Sequence, residues 1–228
     1  MAHADGKGVE AVDRAMALLG CFDGAEALSL ADLARRSGMY KSTVLRLAAS
    51  LQRAQMLTRG EDGRFRLGPA LWRLGSLYRR RFDIEAIVRP ALEALARETG
   101  ETASFYVLDG DARVCLYRED GPRAIRHHVA EGVRLPLTAG ATARVLAAYS
   151  GASGVAAEAV RTAGGAVSIG ERDPEVAAVA APVFGAGGIL RGALSTSGPA
   201  SRFDPGAALT ATVAAAAALS ARLAAEGA

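Results

Sequence analysis

Residues 33–60 run for 28 positions without an Asp or Glu, yet Arg35, Arg36, Lys41, Arg46, Arg53 and Arg59 all fall inside them. A window of one sign is chemistry for a polyanion. Duplex DNA presents a phosphate about every 1.7 Å of axis and rewards each cation that displaces a counterion. Lys41, Ser42 and Thr43 are consecutive and suit phosphate positioning, while an arginine such as Arg46 can read a guanine edge bidentately. Arg36 and Arg53 extend the charge, although plain surface solvation accounts for them equally well. Arg64 and Arg66 follow shortly after and can track a backbone or enter a minor groove. The candidate DNA contacts are therefore Arg36, Lys41, Ser42, Thr43, Arg46, Arg53, Arg64 and Arg66.

A second chemistry lies in the C-terminal half. Thr138 can cap a helix starting at Ala139, leaving the N–H groups of Gly140, Ala141 and Thr142 for a carboxylate at the positive end of the helix dipole. Ser195 and Ser197 alternate on a strand pattern, so both hydroxyls face one way. Close packing of small residues explains the same positions without any ligand. Nucleophilic chemistry has little to work with. Ser195 and Cys115 are the nominal nucleophiles, but the chain has three His in all, His3, His127 and His128, and no Ser/His/Asp or Cys/His set has positional logic. His127-His128 on a strand would point to opposite faces and could not share a metal. The expectation is no enzyme, no catalytic residue, no metal and no cofactor, with a hydrolase using Ser195 or Cys115 as the disfavoured alternative.

Helical spacing places a helix over residues 9–22, a second over 30–37 between Ser29 and Gly38, and a third from Tyr40 or Lys41 to Ala54, with Val44, Leu47, Ala48 and Leu51 inward. Alternation on both sides of Asp62-Gly63 predicts a hairpin. Helix, helix-turn-helix and hairpin together make a winged helix-turn-helix. A helix from Pro69 carries Trp72, read as a packing anchor, and the basic run Arg79-Arg80-Arg81, read as a solvated helix end; another helix spans 84–99. Strands are predicted at 103–108, 113–118, 124–130, 176–184 and 189–197, a helix at 138–150, and a C-terminal helix from Asp204-Pro205. Residues 151–170 are Ala/Gly-rich and weakly patterned. The sum is α+β with a five- or six-stranded antiparallel sheet.

Residues 1–82 carry 14 Lys/Arg against 8 Asp/Glu, and the remainder 13 against 16. A basic module joined to an acidic one suits a nucleic-acid binder attached to something else. Cys21 and Cys115 form no CxxC pattern and read as reduced core residues of a cytoplasmic protein. The polar start lacks the apolar run of a signal peptide, and the Ala-dominated segment 207–225 reads as a packing helix with no membrane role.

The order of motifs resembles the IclR family of bacterial transcriptional regulators over nearly the whole chain. The resemblance is carried by residues 9–19 (VEAVDRAMALL), 30–47 (LADLARRSGMYKSTVLRL) and 64–68 (RFRLG). In the second half it continues through 134–147 (RLPLTAGATARVLA), 178–184 (AVAAPVF) and 192–199 (GALSTSGP). It implies a winged helix-turn-helix DNA-binding domain at 1–68, a linker helix at 69–83 and a GAF-like effector-binding domain at 84–228. It also implies a duplex operator, homodimers or homotetramers, repression or activation, and a small carboxylate or aromatic effector contacted by Gly140, Ala141, Ser168, Ala178, Ser195 and Ser197. Three departures stand out. Ala143 replaces a basic residue, with Arg144 beside it; Tyr40 stands where Ser is frequent; and the stretch from Ser150 to Val167 is roughly two dozen residues short. The shortening predicts a more open pocket, a larger ligand, or completion by a partner subunit; a degenerate sensor kept only for oligomerisation is the alternative.

Overall fold

The computed structural model describes residues 8–80 and 82–227, which divide between residues 81 and 82 into two compact units. His3, Arg81 and nearly all of the polar start lie outside the described residues.

In the first unit, α1 (Glu10–Gly20), α2 (Leu30–Ser37) and α3 (Lys41–Arg53) precede β1 (Leu57–Arg59), β2 (Phe65–Leu67) and α4 (Pro69–Arg80). Local chemistry sets the boundaries. Asp32 N–H donates to Ser29 Oγ at 3.1 Å and Ser29 N–H to the Asp32 carboxylate at 3.3 Å, a complete capping box. Gly38 ends α2 at φ 69°, a conformation in which a Cβ would be strained. The buried face of α3, Val44, Ala48 and Leu51, then meets Leu18, Leu33, Leu57 and Phe65 in a single core. β1 and β2 pair antiparallel, and Phe65 also exchanges both backbone hydrogen bonds with Leu28, which fastens the wing to the helices. Gly68 is required sterically: a Cβ there would lie 2.2 Å from the Gln55 carbonyl oxygen. Trp72 does not anchor a core within this unit. It is exposed, with the Arg79 guanidinium over its ring.

The second unit runs α5 (Glu85–Thr99), β3 (Thr102–Asp109), β4 (Ala112–Glu119), β5 (Arg134–Pro136), α6 (Ala141–Tyr149), α7 (Val155–Ala163), β6 (Ala166–Ile169), β7 (Val176–Phe184), β8 (Leu190–Pro199) and α8 (Pro205–Ala225). All pairs are antiparallel in the order β5-β4-β3-β8-β7-β6. Residues of alternate parity along each strand serve opposite faces. Tyr106, Cys115, Ala180 and Ala193 pack with Val145 and Leu146 of α6; Ala177 and Val179 pack with Ala208 of α8, and Thr196 bonds Thr212. With helices on both faces, the strands are apolar nearly throughout. α8 is long and apolar enough to cross a membrane by composition, but it lies along β7 and β8 with Ala208, Thr212, Ala216, Leu219 and Leu223 buried, as a packing helix does.

Three expectations are corrected. Residues 124–130 form a loop, and the third strand is β5. The loop has no ladder; its carbonyls are met by side chains, Ile125 O by Arg202 Nη2 at 2.7 Å and His127 O by Thr102 Oγ1 at 3.2 Å. The helix expected from Ala139 starts at Ala141, because Gly140 at φ 99° takes the N-cap without a side-chain cap. The weakly patterned 151–170 folds into α7, bounded by Gly154 and Gly164 at positive φ, and β6.

Candidate nucleic-acid surface and ligand cavity

α3 turns Lys41, Ser42, Arg46, Ala49 and Arg53 outward, with Thr43 half-buried. Among the described residues neither Lys41 nor Arg46 has a side-chain partner, so both cations are free for an incoming anion. Arg53 donates to Ser50 Oγ at 3.0 Å. Thr43, Arg46 and Arg53 line a surface groove with Arg14 of α1. Arg36 is different. Its guanidinium donates to the carbonyls of Cys21 at 2.9 Å and Asp23 at 3.4 Å, tying down the end of α1. On the wing, Arg66 makes two hydrogen bonds to Asp62, whose carboxyl is thereby held down at about 2, while Arg64 is exposed with no side-chain partner among the described residues. The eight expected contacts thus separate into Lys41, Ser42, Thr43, Arg46 and Arg64, which present no internal ion pair among the described residues, Arg53, bonded to Ser50 of its own helix, and two arginines, Arg36 and Arg66, engaged internally.

In the second unit Gly140, Ala141, Ser168, Ala178, Ser195 and Ser197 all line one cavity, together with Tyr106, Arg113, His127, Thr142 and the strap Glu171-Arg172-Asp173. Strand parity brings Ser195, Ser197 and Ala178 to the sheet face on which α6 starts, and Ser168 enters through its pairing with Ala178. Even with the segment after Ser150 shortened, the cavity is small, about 40 Å³, or room for about three waters. Ser168 of β6 and the strap form part of its wall.

The polar groups here were mostly illegible in the sequence. Glu171 accepts the Gly140 N–H at 3.0 Å and pairs with Arg144, so a carboxylate of the protein itself sits at the start of α6. Arg113, 2 % exposed, donates to the carbonyls of Pro136 and Ala139, and its Nε has no partner. His127 Nδ1 lies 3.1 Å from Ser197 Oγ and its Nε2 lies 3.1 Å from Arg172 Nη2. Burial, reinforced by Arg172, pulls the imidazole down to about 4, so the ring is neutral at physiological pH. The sequence reading found no Ser/His set, and here is one, with the wrong polarity for nucleophilic catalysis. A guanidinium can only donate, so Nε2 carries the lone pair and Nδ1 the proton. The ring donates to Ser197 and cannot take its proton. Ser195 donates to the Val179 carbonyl at 2.8 Å, and burial pushes the Cys115 thiol up to about 11. Neither is an activated nucleophile.

The family model described as the IclR helix-turn-helix domain matches residues 11–61, and that described as the bacterial transcriptional regulator IclR C-terminal matches 77–157 and 156–222. The chain belongs to the IclR family. The two C-terminal matches meet at the shortened segment after Ser150. Among relatives, the regulator KipR of Bacillus subtilis is 34% identical over 138 residues, 60% of this chain and 55% of its own length. BhcR of Paracoccus denitrificans is 28% identical over 226 residues, 88% of this chain and 81% of BhcR. The IclR structure from Thermotoga maritima superposes with a TM-score of 0.75 at 21% identity, covering 93% of this chain and 98% of that one. An IclR homologue from Microbacterium hydrocarbonoxydans, complexed with 4-hydroxybenzoate, superposes with a TM-score of 0.74 at 23% identity, covering 95% and 100%. Within this IclR-family chain, Arg113, His127, Glu171 and Arg172 are among the cavity residues that sequence reading missed. Only the Gly170-Glu-Arg-Asp-Pro174 turn between two strands carried a local signal, as a charged loop placed to reach a neighbouring site.

Proposed function

We propose that the protein is a DNA-binding transcriptional regulator whose grip on a duplex operator is modulated by a small organic or aromatic acid held in the C-terminal unit. The reading rests on one observation: six residues scattered from Gly140 to Ser197 converge on a single cavity at the start of α6, while α3 leaves Lys41 and Arg46 on its outer face without a side-chain partner among the described residues. The fold is one that hosts such an acid in the homologue bound to 4-hydroxybenzoate. In this reading Lys41, Ser42 and Thr43 position α3 on phosphates, Arg46 reads a base, and Arg64 and Arg53 contribute backbone charge. The protein acts in the cytoplasm as a homodimer or homotetramer, as a repressor. A sensor retained only for oligomerisation is a second reading, favoured by the small volume and by Glu171 already filling the carboxylate seat.

Binding of fluorescent promoter fragments from the gene's own neighbourhood tests the first half. Arg46→Ala should lower affinity roughly tenfold or more, since a bidentate contact is worth about 1–3 kcal/mol, with the melting temperature unchanged. Unaltered affinity would remove α3 from the interface. A thermal-shift screen of mono-, di- and hydroxycarboxylic acids separates the two sensor readings, because only a ligand of the folded state raises its melting temperature.

A further inference from the structure

The donors and acceptors that line the cavity have a fixed direction. Arg172 can only donate, so His127 Nε2 accepts and Nδ1–H donates to Ser197 Oγ. Ser197 therefore has its own proton left, and no protein acceptor for it among the described residues. Two residues earlier on the same strand face Ser195 has the opposite character. Its proton goes to the Val179 carbonyl at 2.8 Å, leaving lone pairs toward the cavity. One hydroxyl offers a donor and the next an acceptor, about 6–7 Å apart along β8.

The charged groups indicate where an anion goes. Glu171 holds the Gly140 N–H while pairing with Arg144, so the position at the start of α6 is one that a carboxylate already occupies. Arg113 lies buried beside it with an unpartnered Nε. Arg113 and Arg172 line the cavity against Glu171 and Asp173. An entering carboxylate that swings Glu171 out toward Arg144 keeps that balance and leaves no buried charge uncompensated.

We propose that the cavity selects small hydroxy acids over plain acids, the ligand carboxylate replacing Glu171 at Gly140 and accepting from Ser197, and the ligand hydroxyl donating to Ser195. This rests on the sensing role given to the cavity above. A plain acid would leave the Ser195 lone pairs facing an apolar group, and a site built to bond a hydroxyl discriminates against the analogue that lacks it.

Isothermal titration of the full-length protein with three matched pairs tests it: acetate and glycolate, propionate and lactate, benzoate and 4-hydroxybenzoate. The hydroxylated member of at least one pair should bind about tenfold tighter. Ser195→Ala should collapse that preference to within about twofold, the hydroxy acid losing affinity as the plain acid is relieved of the unpaired acceptor, and Ser197→Ala should weaken both members alike. Equal affinity within every pair that binds overturns the proposal while the sensing role stands, and this comparison needs only the unaltered protein. A preference that survives Ser195→Ala, in a variant whose melting shows it folded, overturns it too. Silence from all six acids overturns the proposal, and the sensing role falls with it only if the wider thermal-shift screen is silent as well.

Discussion

The polarity of the cavity depends on one imidazole, and its protonation can be measured. His127 is held at about 4 against an ordinary 6.5. Desolvation is the first cause; Arg172 follows, Arg118 and His128 add to it, and Asp173 opposes. A folded state that resists protonation to that degree gives up about 3 kcal/mol relative to the unfolded chain once the solution is below about pH 4. The sign follows from proton counting. Between the two values the unfolded chain binds the proton and the folded chain does not, so stability falls as pH drops from about 6.5 toward 4 and is untouched above that range. Long-range proton–nitrogen spectra of the imidazoles give both quantities directly, and with only three histidines in the sequence, His127→Gln and His128→Gln complete the assignment. The spectra should show an Nδ1–H tautomer at neutral pH and no titration of His127 before about pH 5. Urea unfolding from pH 7 to 4.5 should show the parent losing more stability than His127→Gln. A midpoint near 6.5, or an Nε2–H tautomer, would mean that Arg172 does not hold the ring, and the donor–acceptor order at Ser195 and Ser197 would fall with it.

Three further outcomes are expected. Tyr40 stands at the N-cap of α3, 86 % exposed and with no side-chain cap bond, so Tyr40→Ser should stabilise the first unit by about 0.5–1 kcal/mol; unfolding followed by Trp72, the one tryptophan of the chain and a residue of that unit, reads this, and no gain in midpoint refutes it. Arg36 binds the carbonyls of Cys21 and Asp23 just past the end of α1, so Arg36→Ala should cost about 1 kcal/mol of stability, in contrast to Arg46→Ala; an effect on operator affinity alone would return Arg36 to the DNA surface. Glu171→Gln keeps an acceptor for Gly140 but removes the competing charge, and should tighten small-acid binding roughly three- to tenfold by titration calorimetry; weaker binding would show that Glu171 belongs to the ligand's own contacts.

What could be read in the sequence followed the range of the forces involved. The first unit is built from local signals: the Ser29 cap, Gly38, the spacing of Val44, Ala48 and Leu51, and the Asp62-Gly63 turn. Each works within a few residues, so each was visible. Ser195 and Ser197 were visible for the same reason, since a period of two is local. Residues 124–130 alternate like a strand, but alternation states a capacity, and pairing needs a partner edge. β4 gives its free edge to β5, leaving the loop to Thr102 and Arg202. α7 and β6 were hidden because alanine fits either period and only the flanking glycines mark their ends.

The cavity's charged groups belong to the same class of failure. Arg113 to Ala139 spans 26 residues, Gly140 to Glu171 spans 31, and His127 to Ser197 spans 70. No pattern within a window joins them. What joins them is the strand order, which lays β8 between β3 and β7 and so sets the Ser195 and Ser197 hydroxyls beneath the start of α6. The family resemblance supplied the small, uncharged positions, and these line one cavity. The charged and titratable groups, Glu171 with Arg144 and His127 with Arg172, emerge only from the folded geometry. Discrimination among ligands should therefore reside in that second set: exchanging Glu171 or His127 should change which acid binds, whereas exchanging Ala141 or Ala178 for larger residues should abolish binding altogether.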